Sequence, residues 1–583
     1  MPRGVGKIQV MDFSGGLNDT NVATNIKDNE LQTATNVFVN LRGGIEKRYG
    51  NTLWTAHPKV SSLTTRAKLA VFNASNFTTL TDNIIMLMPG VEAYNIGTDS
   101  ASNSWGELNY TDSAASVLLT DGSGAVVLSG GTTNCLVQFR VNDTIRFPST
   151  ATPNTFYTIS AIADSTNFTI TPVWSGLTAG ATFSVRKVGD TGSGLPCAEF
   201  FNGNTHYSLG TSSKMYYINS SNVITTIATP PSAAITSMAA HKNYLFAATT
   251  AGRVYWSALL DATSSTSWPS TNFVDVNPSS TGLRRLFSHN GMLYIFKDDG
   301  IWFLNGEVFD PANPQYSLSK IVNPQKIGCV HGGSVAAFQD KIVFLSTDGI
   351  YALDGVNRII NMSEQKIRTT IRGITNRFTP FTAASWPAIE GVVYDNRYWL
   401  SYATAASPTV NDTTLIMEPN GAFTTHTLIT TNNWVTANTG SGFRLFGTKG
   451  AAGAERLFGL NGTETNDGST AITATATTKI FGFGDFSKTT HVFDVYVSYY
   501  NTTNQAATLS VYDDAGIIGS SAAHTFPGGT TQFITVQRFV VDRDTNGLYL
   551  SVTDATSNSS FRILGIEVRY AKEMEASAKV ITS

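Results

Sequence analysis

Apolar and polar positions along the middle of the chain repeat as a unit. An apolar strand runs into a polar turn, an apolar–aromatic strand follows, a glycine turn comes next, and a third strand carries Tyr or Trp. The clearest copies are MAAHKNYLFAATTAGRVYWS from Met238, LFSHNGMLYIFKDDGIWFLNG from Leu286 and AAFQDKIVFLSTDGIYALDG from Ala336. In each copy nine residues separate the two turns: Asn243 to Gly252, Gly291 to Gly300, Asp340 to Gly349. A unit with one apolar edge cannot fold alone, so the copies must pack on each other.

The first turns at 203, 243, 291, 340, 396 and 450 lie 40, 48, 49, 56 and 54 residues apart. Spacings of ~40–50 residues with three or four strands each are those of propeller blades, and a stacked solenoid normally has a shorter repeat. Six copies are clear, and a seventh, FRLFGTKGAAGAERLFGLNG, is either a blade or the closure of the ring. A weaker early copy, FTTLTDNIIMLMPGVEAYNIG, turns at Asp82–Asn83, 120 residues before Gly203. Between them VNDTIRF, TFYTISAIA, NFTITPVW and ATFSVRKV read as short alternating strands. They predict a small β-barrel or sandwich inserted over 111–190. Removing those 80 residues restores a spacing of 40.

The two ends depart from the repeat. In residues 1–60, Ile26, Glu30, Leu31, Ala34 and Val37 stand at helical spacing and predict one short helix. SEQKIRTTIRGI predicts a second, with Ser363 as its N-cap and Ile367, Ile371 and Ile374 on one face. From about 466 strands alternate at roughly twelve-residue intervals, which predicts a C-terminal β-sandwich ending in the polar tail AKEMEASAKVITS. The expected architecture is all-β. A six- or seven-bladed propeller over 61–110 and 191–465 carries the 111–190 insertion, an N-terminal docking or closure segment over 1–60, and a sandwich over 466–583.

Composition fits a rigid β protein. Of 583 residues 42% are hydrophobic and only 14% charged, against ~25% charged in ordinary globular chains. Formal charge is −3 and no basic patch stands out, so sequence-specific nucleic-acid binding is not expected. A near-neutral chain still suits the wall of a channel through which DNA slides, where strong phosphate contacts would hinder movement. Cys135, Cys197 and Cys329 are far apart and form no CxxC, which reads as buried thiols in a reducing compartment. The start, MPRGVGKIQVMDFSGG, lacks a signal-peptide core, and the strongest apolar run, Ile84–Met88, is too short to span a bilayer. Synthesis in the cytoplasm is expected.

Candidate chemistry is sparse. The chain has no P-loop, HExxH or GxSxG. His241 and His289 fall at matching places in two copies, which reads as a shared structural position. Ser346-Thr347-Asp348-Gly349 resembles a fragment of an Asp box, but Asp-Gly is a common hairpin turn. Asp542, Asp544 and Asn546 fit the first half of a calcium loop. The twelfth position is Thr553 where a bidentate Glu is needed, and the flanks read as strands. No catalytic, cofactor-binding or metal set is expected beyond that one weak candidate.

The N-terminus is more specific. Phe13-Ser14-Gly15-Gly16-Leu17-Asn18 leads to Ile26-Lys27-Asp28-Asn29-Glu30-Leu31, then Ala34, Asn36, Gly44-Ile45 and Lys47-Arg48-Tyr49-Gly50. This resembles the opening of phage tail structural proteins of the tail tubular protein B group, which form the nozzle of short-tailed phages. Ile327-Gly328-Cys329, Phe344-Leu345-Ser346, Asp348-Gly349-Ile350-Tyr351 and the Ser363 segment are similar to the middle of that group. The likeness is sharpest over 13–50 and 326–374. It implies a non-enzymatic virion subunit, six copies of which ring the DNA ejection channel. Its implied partners are a tail adaptor, tail fibres or tip proteins, and DNA bound without sequence preference. It also implies assembly roles for Gly15, Gly16, Leu17, Asn18, Glu30, Asn36, Gly44, Lys47, Arg48 and Gly50. Two other functions fit the residues: a tail-tip protein that grips receptors or glycans, and a propeller glycosidase.

Overall fold

A computed structural model describes residues 4–53, short strands between 68 and 110, and 115–572 apart from several loops, of which 187–195, 307–315 and 376–388 are the longest. Asp82, Gly450, the Ile374 side chain and the tail from 573 onward, all read above, lie outside the described residues.

Seven four-stranded antiparallel units follow one another, and they are the blades of a propeller. Blades 1 to 6 span 68–107, 197–226, 235–275, 283–320, 336–361 and 390–427. Blade 7 takes three strands from 434–460 and its outermost strand, Thr52–Leu53, from the other end of the chain. The innermost strands touch in ring order, except that blade 4 meets blade 5 through the turn Gly332–Ser334 leading into it, and that of blade 7 reaches that of blade 1. The ring therefore has seven blades and is closed by the N-terminal segment. The seventh copy is a blade, and its first hairpin turn falls at 439–442, eight residues or more before Gly450.

The apolar runs are long because each blade is buried on both sides. In blade 4, Leu293 and Ile295 pack towards blade 3, while Tyr294 and Phe296 pack towards blade 5. The period of two thus sends alternate residues into different inter-blade cores. The first hairpins turn on residue pairs that both have positive φ: Asn202–Gly203, Lys242–Asn243, Asn290–Gly291, Gln339–Asp340 and Asp395–Asn396. That is the turn whose twist matches two antiparallel strands.

The insertion forms its own eight-stranded sheet over 109–186. Ala179–Ala181 pairs with Ala115–Leu119, and Ser184–Arg186, two residues on, pairs with Thr144–Arg146 at the far end of the ladder. These consecutive strands close the sheet into a barrel. Among the described residues its core, with Val117, Ile145, Phe147, Ile159 and Val185 fully buried, draws on none from outside 115–185.

The C-terminal sandwich is built from both ends of the chain. One sheet places Thr490–Tyr500 between Ile534–Thr545 and Arg562–Lys572, and the latter also pairs with Gly4–Val10 and Ile45–Lys47. The other places Leu548–Asp554 between Thr508–Asp513 and Ala474–Thr478, and then continues into Glu30–Thr35. Glu30–Thr35 in turn lies parallel to the outer strand of blade 6, so the sandwich and blade 6 share one continuous sheet.

Two helix expectations are corrected. The N-terminal helix is absent among the described residues, and Glu30–Thr35 is a strand. Its register shifts between Leu31 and Thr33, so Leu31 and Ala34, three apart, both point into the core. A bulge gave an inward spacing that imitates a helix face. The second helix begins at Arg368, not beside Ser363. The Ser363 hydroxyl instead accepts the N–H of Ile350 at 2.9 Å, and its carbonyl accepts Ile367 N–H at 3.1 Å. Among the described residues no helix is long and apolar enough to cross a membrane.

Candidate functional site

The segment 13–53 is the joint of the molecule. In about forty residues it edges blade 6, enters both sandwich sheets and completes blade 7. Asn36, at φ +56, turns the chain from one sandwich sheet to the other. All ten residues expected to matter for assembly lie in this joint, and the structure gives each a contact within its own chain.

Arg48 is 2% exposed. Its Nε donates to Asn36 Oδ1 at 2.9 Å, Nη1 to Asp467 Oδ1 (2.9 Å) and Tyr49 O (3.0 Å), and Nη2 to Asp467 Oδ2 (2.5 Å) and Thr427 O (2.9 Å). That uses all five N–H donors of a guanidinium. Asn36 completes the set. Its Nδ2 donates to Thr473 O (2.6 Å) and Thr427 Oγ1 (2.8 Å), and its Oδ1 also accepts the N–H of Thr427 (2.9 Å). Blade 6 and the start of the sandwich are thus tied through two side chains of the N-terminal segment. Lys47 forms a second buried pair, with Asp554 at 3.4 Å, and donates to Thr556 O at 3.2 Å. Burial lowers the Lys47 pKa despite that carboxylate.

The smaller motif residues fit the same joint. Glu30 Oε2 accepts Asn18 Nδ2 at 2.7 Å and Lys27 N–H at 2.9 Å, and Leu17 lies in the shared core. Gly16 has φ +66 and sits against Phe423 of blade 6. A Cβ on Gly50 would stand 1.8 Å from the carbonyl oxygen of Asn466, so no side chain fits there. Gly15 approaches Glu30 and Asn29, and Gly44 approaches Asn40 and Ile563, in the same way.

The second stretch singled out in the sequence meets the first. Asp19 N–H donates to Lys366 O at 2.8 Å, and the Asp19 carboxylate accepts the N–H of Thr369 (3.2 Å) and Thr370 (2.8 Å) and the Thr370 hydroxyl. Thr20 Oγ1 accepts Arg368 N–H at 2.8 Å. Asp19 therefore caps helix Arg368–Thr375 from 350 residues away, a role normally held by the residue preceding a helix.

Beside the joint lies a cavity of about 270 Å³ lined by Phe38, Tyr49, Arg397 and Glu464 among others. The Arg397 guanidinium stacks 4.2 Å from the Phe38 ring centre and bonds Glu418 at 2.7 Å. Glu418 in turn accepts Val39 N–H at 3.2 Å, and burial pushes its pKa up to about 7. Neither Arg397 nor Glu418 was legible as a site residue, since no local pattern marks a contact across 379 positions.

Elsewhere the candidate residues do structural work. His241 Nδ1 meets Ser288 Oγ of the next blade at 2.9 Å, and His289 Nε2 meets Asp340 O of the blade after at 3.2 Å. Their matching positions are matching inter-blade ties. Asp348 accepts the Tyr351 hydroxyl within a hairpin turn closed by Ser346 N–H on Gly349 O. Asp542 and Asp544 sit at the end of strand Ile534–Thr545 and face His491 at 3.1 and 2.7 Å, while Asn546 accepts the Thr489 hydroxyl. They lie at a strand end, where a calcium loop of that pattern would need flanking helices. Among the described residues no three of His, Cys, Asp and Glu are placed to share a metal ion. Cys135, Cys197 and Cys329 are buried free thiols.

No protein-family model matches the chain. No curated protein matches it either. Solved structures similar to it include streptogramin B lyase (10% identity, 61% of this chain and 97% of that one, TM-score 0.32). BBS1N in complex with ARL6DN (8%, 71% and 98%, TM-score 0.38) and BamB from Moraxella catarrhalis (9%, 72% and 98%, TM-score 0.33) are others. Nothing about activity follows from likeness at this level. The class of the molecule, an all-β seven-bladed propeller with an inserted barrel and a sandwich, rests on its own sheets.

Proposed function

We propose that the chain is a structural, non-enzymatic subunit of a phage tail, part of the nozzle through which DNA leaves the particle. One observation carries the reading. The two stretches that resemble tail nozzle proteins, 13–50 and 326–374, are 276 residues apart in sequence, and they meet in space at Asp19 and helix Arg368–Thr375. A likeness confined to two remote stretches is then a likeness in one structural unit, the joint that sets how propeller and sandwich sit together. In this reading the joint is a fixed bracket, the ring of blades is wall, and an adaptor above and fibres or tip proteins below are its neighbours. A propeller's own axial channel is ringed by the inner strands of its blades. The duplex would pass through a lumen formed by several copies.

Gold labelling of this chain in purified particles, imaged by electron microscopy, tests the assignment. The expected outcome is label at the tail end, and a ring with a lumen when the tail is viewed along its axis. Particles whose tails carry none of this chain would overturn it.

A further inference from the structure

We propose that Lys47 and Asp554 condense to an amide, a covalent bond that ties the N-terminal segment to the C-terminal sandwich.

Lys47 ends strand Ile45–Lys47 in one sandwich sheet, and Asp554 ends strand Leu548–Asp554 in the other. The backbone under the amine is fixed, because Lys47 N–H donates to Phe561 O at 3.1 Å and the two residues before it pair with Ile563 and Arg562. The two side chains are 1% and 0% exposed, and Nζ lies 3.4 Å from Asp554 Oδ2. An amine and a carboxyl are thus held in contact away from bulk water, which removes the entropic cost of bringing them together.

The neighbours of the pair suit acyl transfer. Asp554 Oδ1 accepts the N–H of Thr556 at 2.8 Å, the contact that holds a developing oxyanion. Oδ2 accepts the Ser559 hydroxyl at 2.6 Å. Ser559 Oγ itself accepts the N–H of Ala506 at 3.0 Å, which leaves its own proton to Oδ2. Lys47 Nζ donates to Thr556 O at 3.2 Å, so one residue positions both the amine and the carboxyl. Burial disfavours the ammonium, and the Lys47 pKa lies below the ordinary lysine value despite the carboxylate beside it.

The step balances without a co-reactant. A proton passes from Nζ to Oδ2, which leaves a neutral amine and a neutral carboxyl, the forms that burial favours. The nitrogen lone pair attacks Cγ, the N–C bond forms, and the displaced electron pair rests on Oδ1 under the Thr556 N–H. The Cγ–Oδ2 bond then breaks. Oδ2 leaves as water, with the proton it already holds and a second given up by the attacking nitrogen, relayed by the Ser559 hydroxyl. One amide and one water result. The cavity of about 270 Å³ beside the joint is lined by Lys47 and Ser559 as well, so the water has a place to go. The amide also replaces two buried charges, whose desolvation an ion pair repays only in part, by a neutral group. This bond lies within one chain and does not depend on the nozzle reading.

Intact-mass spectrometry of the folded full chain, denatured just before measurement, tests the bond. The wild type is expected to be lighter by one water than its sequence, counted from its actual N-terminus. Trypsin is then expected to release a branched peptide, 43–48 joined to 544–562, with Lys47 uncut. Asp554→Ala is expected at its full mass. Should that variant fail to fold, the branched peptide of the wild type still locates the bond. Ser559→Ala keeps both reacting groups and is expected to join more slowly, read as the fraction of branched peptide against time after refolding. A wild-type chain at full mass overturns the proposal. So does a lost water without the branched peptide, which marks a succinimide at an Asp-Gly turn. A Ser559→Ala chain that joins as fast as the wild type overturns the role given to that hydroxyl.

Discussion

Every N–H of Arg48 has an acceptor, and its charge is met by Asp467 in a site from which water is excluded. Removing one partner of such a pair leaves the other buried and unpaired, which costs ~3–5 kcal/mol. Arg48→Met is therefore expected to lower stability by about that amount, read by urea unfolding of the full chain. Arg48→Met with Asp467→Leu is expected to be less destabilised than Arg48→Met alone, because the stranded charge is gone. A double variant as unstable as the sum of the singles would show that the pair does not act as a unit. The sequence exposed Arg48 through its place in a motif. It could not expose Asp467, which is 419 positions away and has no pattern around it. Buried histidines give a second test. His206 and His241 both have pKa values lowered to about 4 by burial, from an ordinary 6.5. The folded state keeps them neutral while the unfolded chain takes up protons below pH 6.5. Their contribution is thus complete above pH 6.5 and is lost as pH falls towards 4. The melting temperature is expected to fall across that window, and His206→Phe is expected to make the fall shallower. An equally steep profile in that variant would locate the acid sensitivity elsewhere.

At the scale of elements, what could be read was what local chemistry fixes. The blade hairpins were legible because Asn-Gly and similar pairs tolerate the positive φ that their turns require, and because alternate residues feed two neighbouring cores. The strand Glu30–Thr35 was not legible. Its partners are a blade strand near 425 and a sandwich strand near 476, and its bulge places Leu31 and Ala34 on one side as a helix would. Tertiary pairing decided its state, and no window of local sequence contains that pairing. Helix Arg368–Thr375 was legible in existence but not in its start, because its cap is Asp19 and comes from the other end of the chain.

At the scale of the whole molecule, the parts differ in how far they depend on one another. Blades 5 and 6, the N-terminal segment and both sandwich sheets share a single apolar core. The last blade also takes a strand from the N-terminus. These parts are expected to unfold together. The barrel is different, because among the described residues its core draws only on 115–185 and its sheet closes on itself. It sits between the outer strand of blade 1 and the inner strand of blade 2, a connection that is short between blades 2 and 3, 3 and 4, and 6 and 7. Replacing 111–190 by a short Gly/Ser linker is therefore expected to leave the seven-bladed ring intact, with the melting transition of the remainder shifted little. The excised barrel is expected to unfold cooperatively by itself, followed by the fluorescence of buried Trp174. Two-state unfolding is usual for a closed core of that size. If the shortened chain fails to fold, or if the barrel alone shows no cooperative transition, the barrel is a working part of the propeller wall. If both fold, the barrel is a module carried by that wall, and its loss is free to alter attachment or ejection without altering the ring.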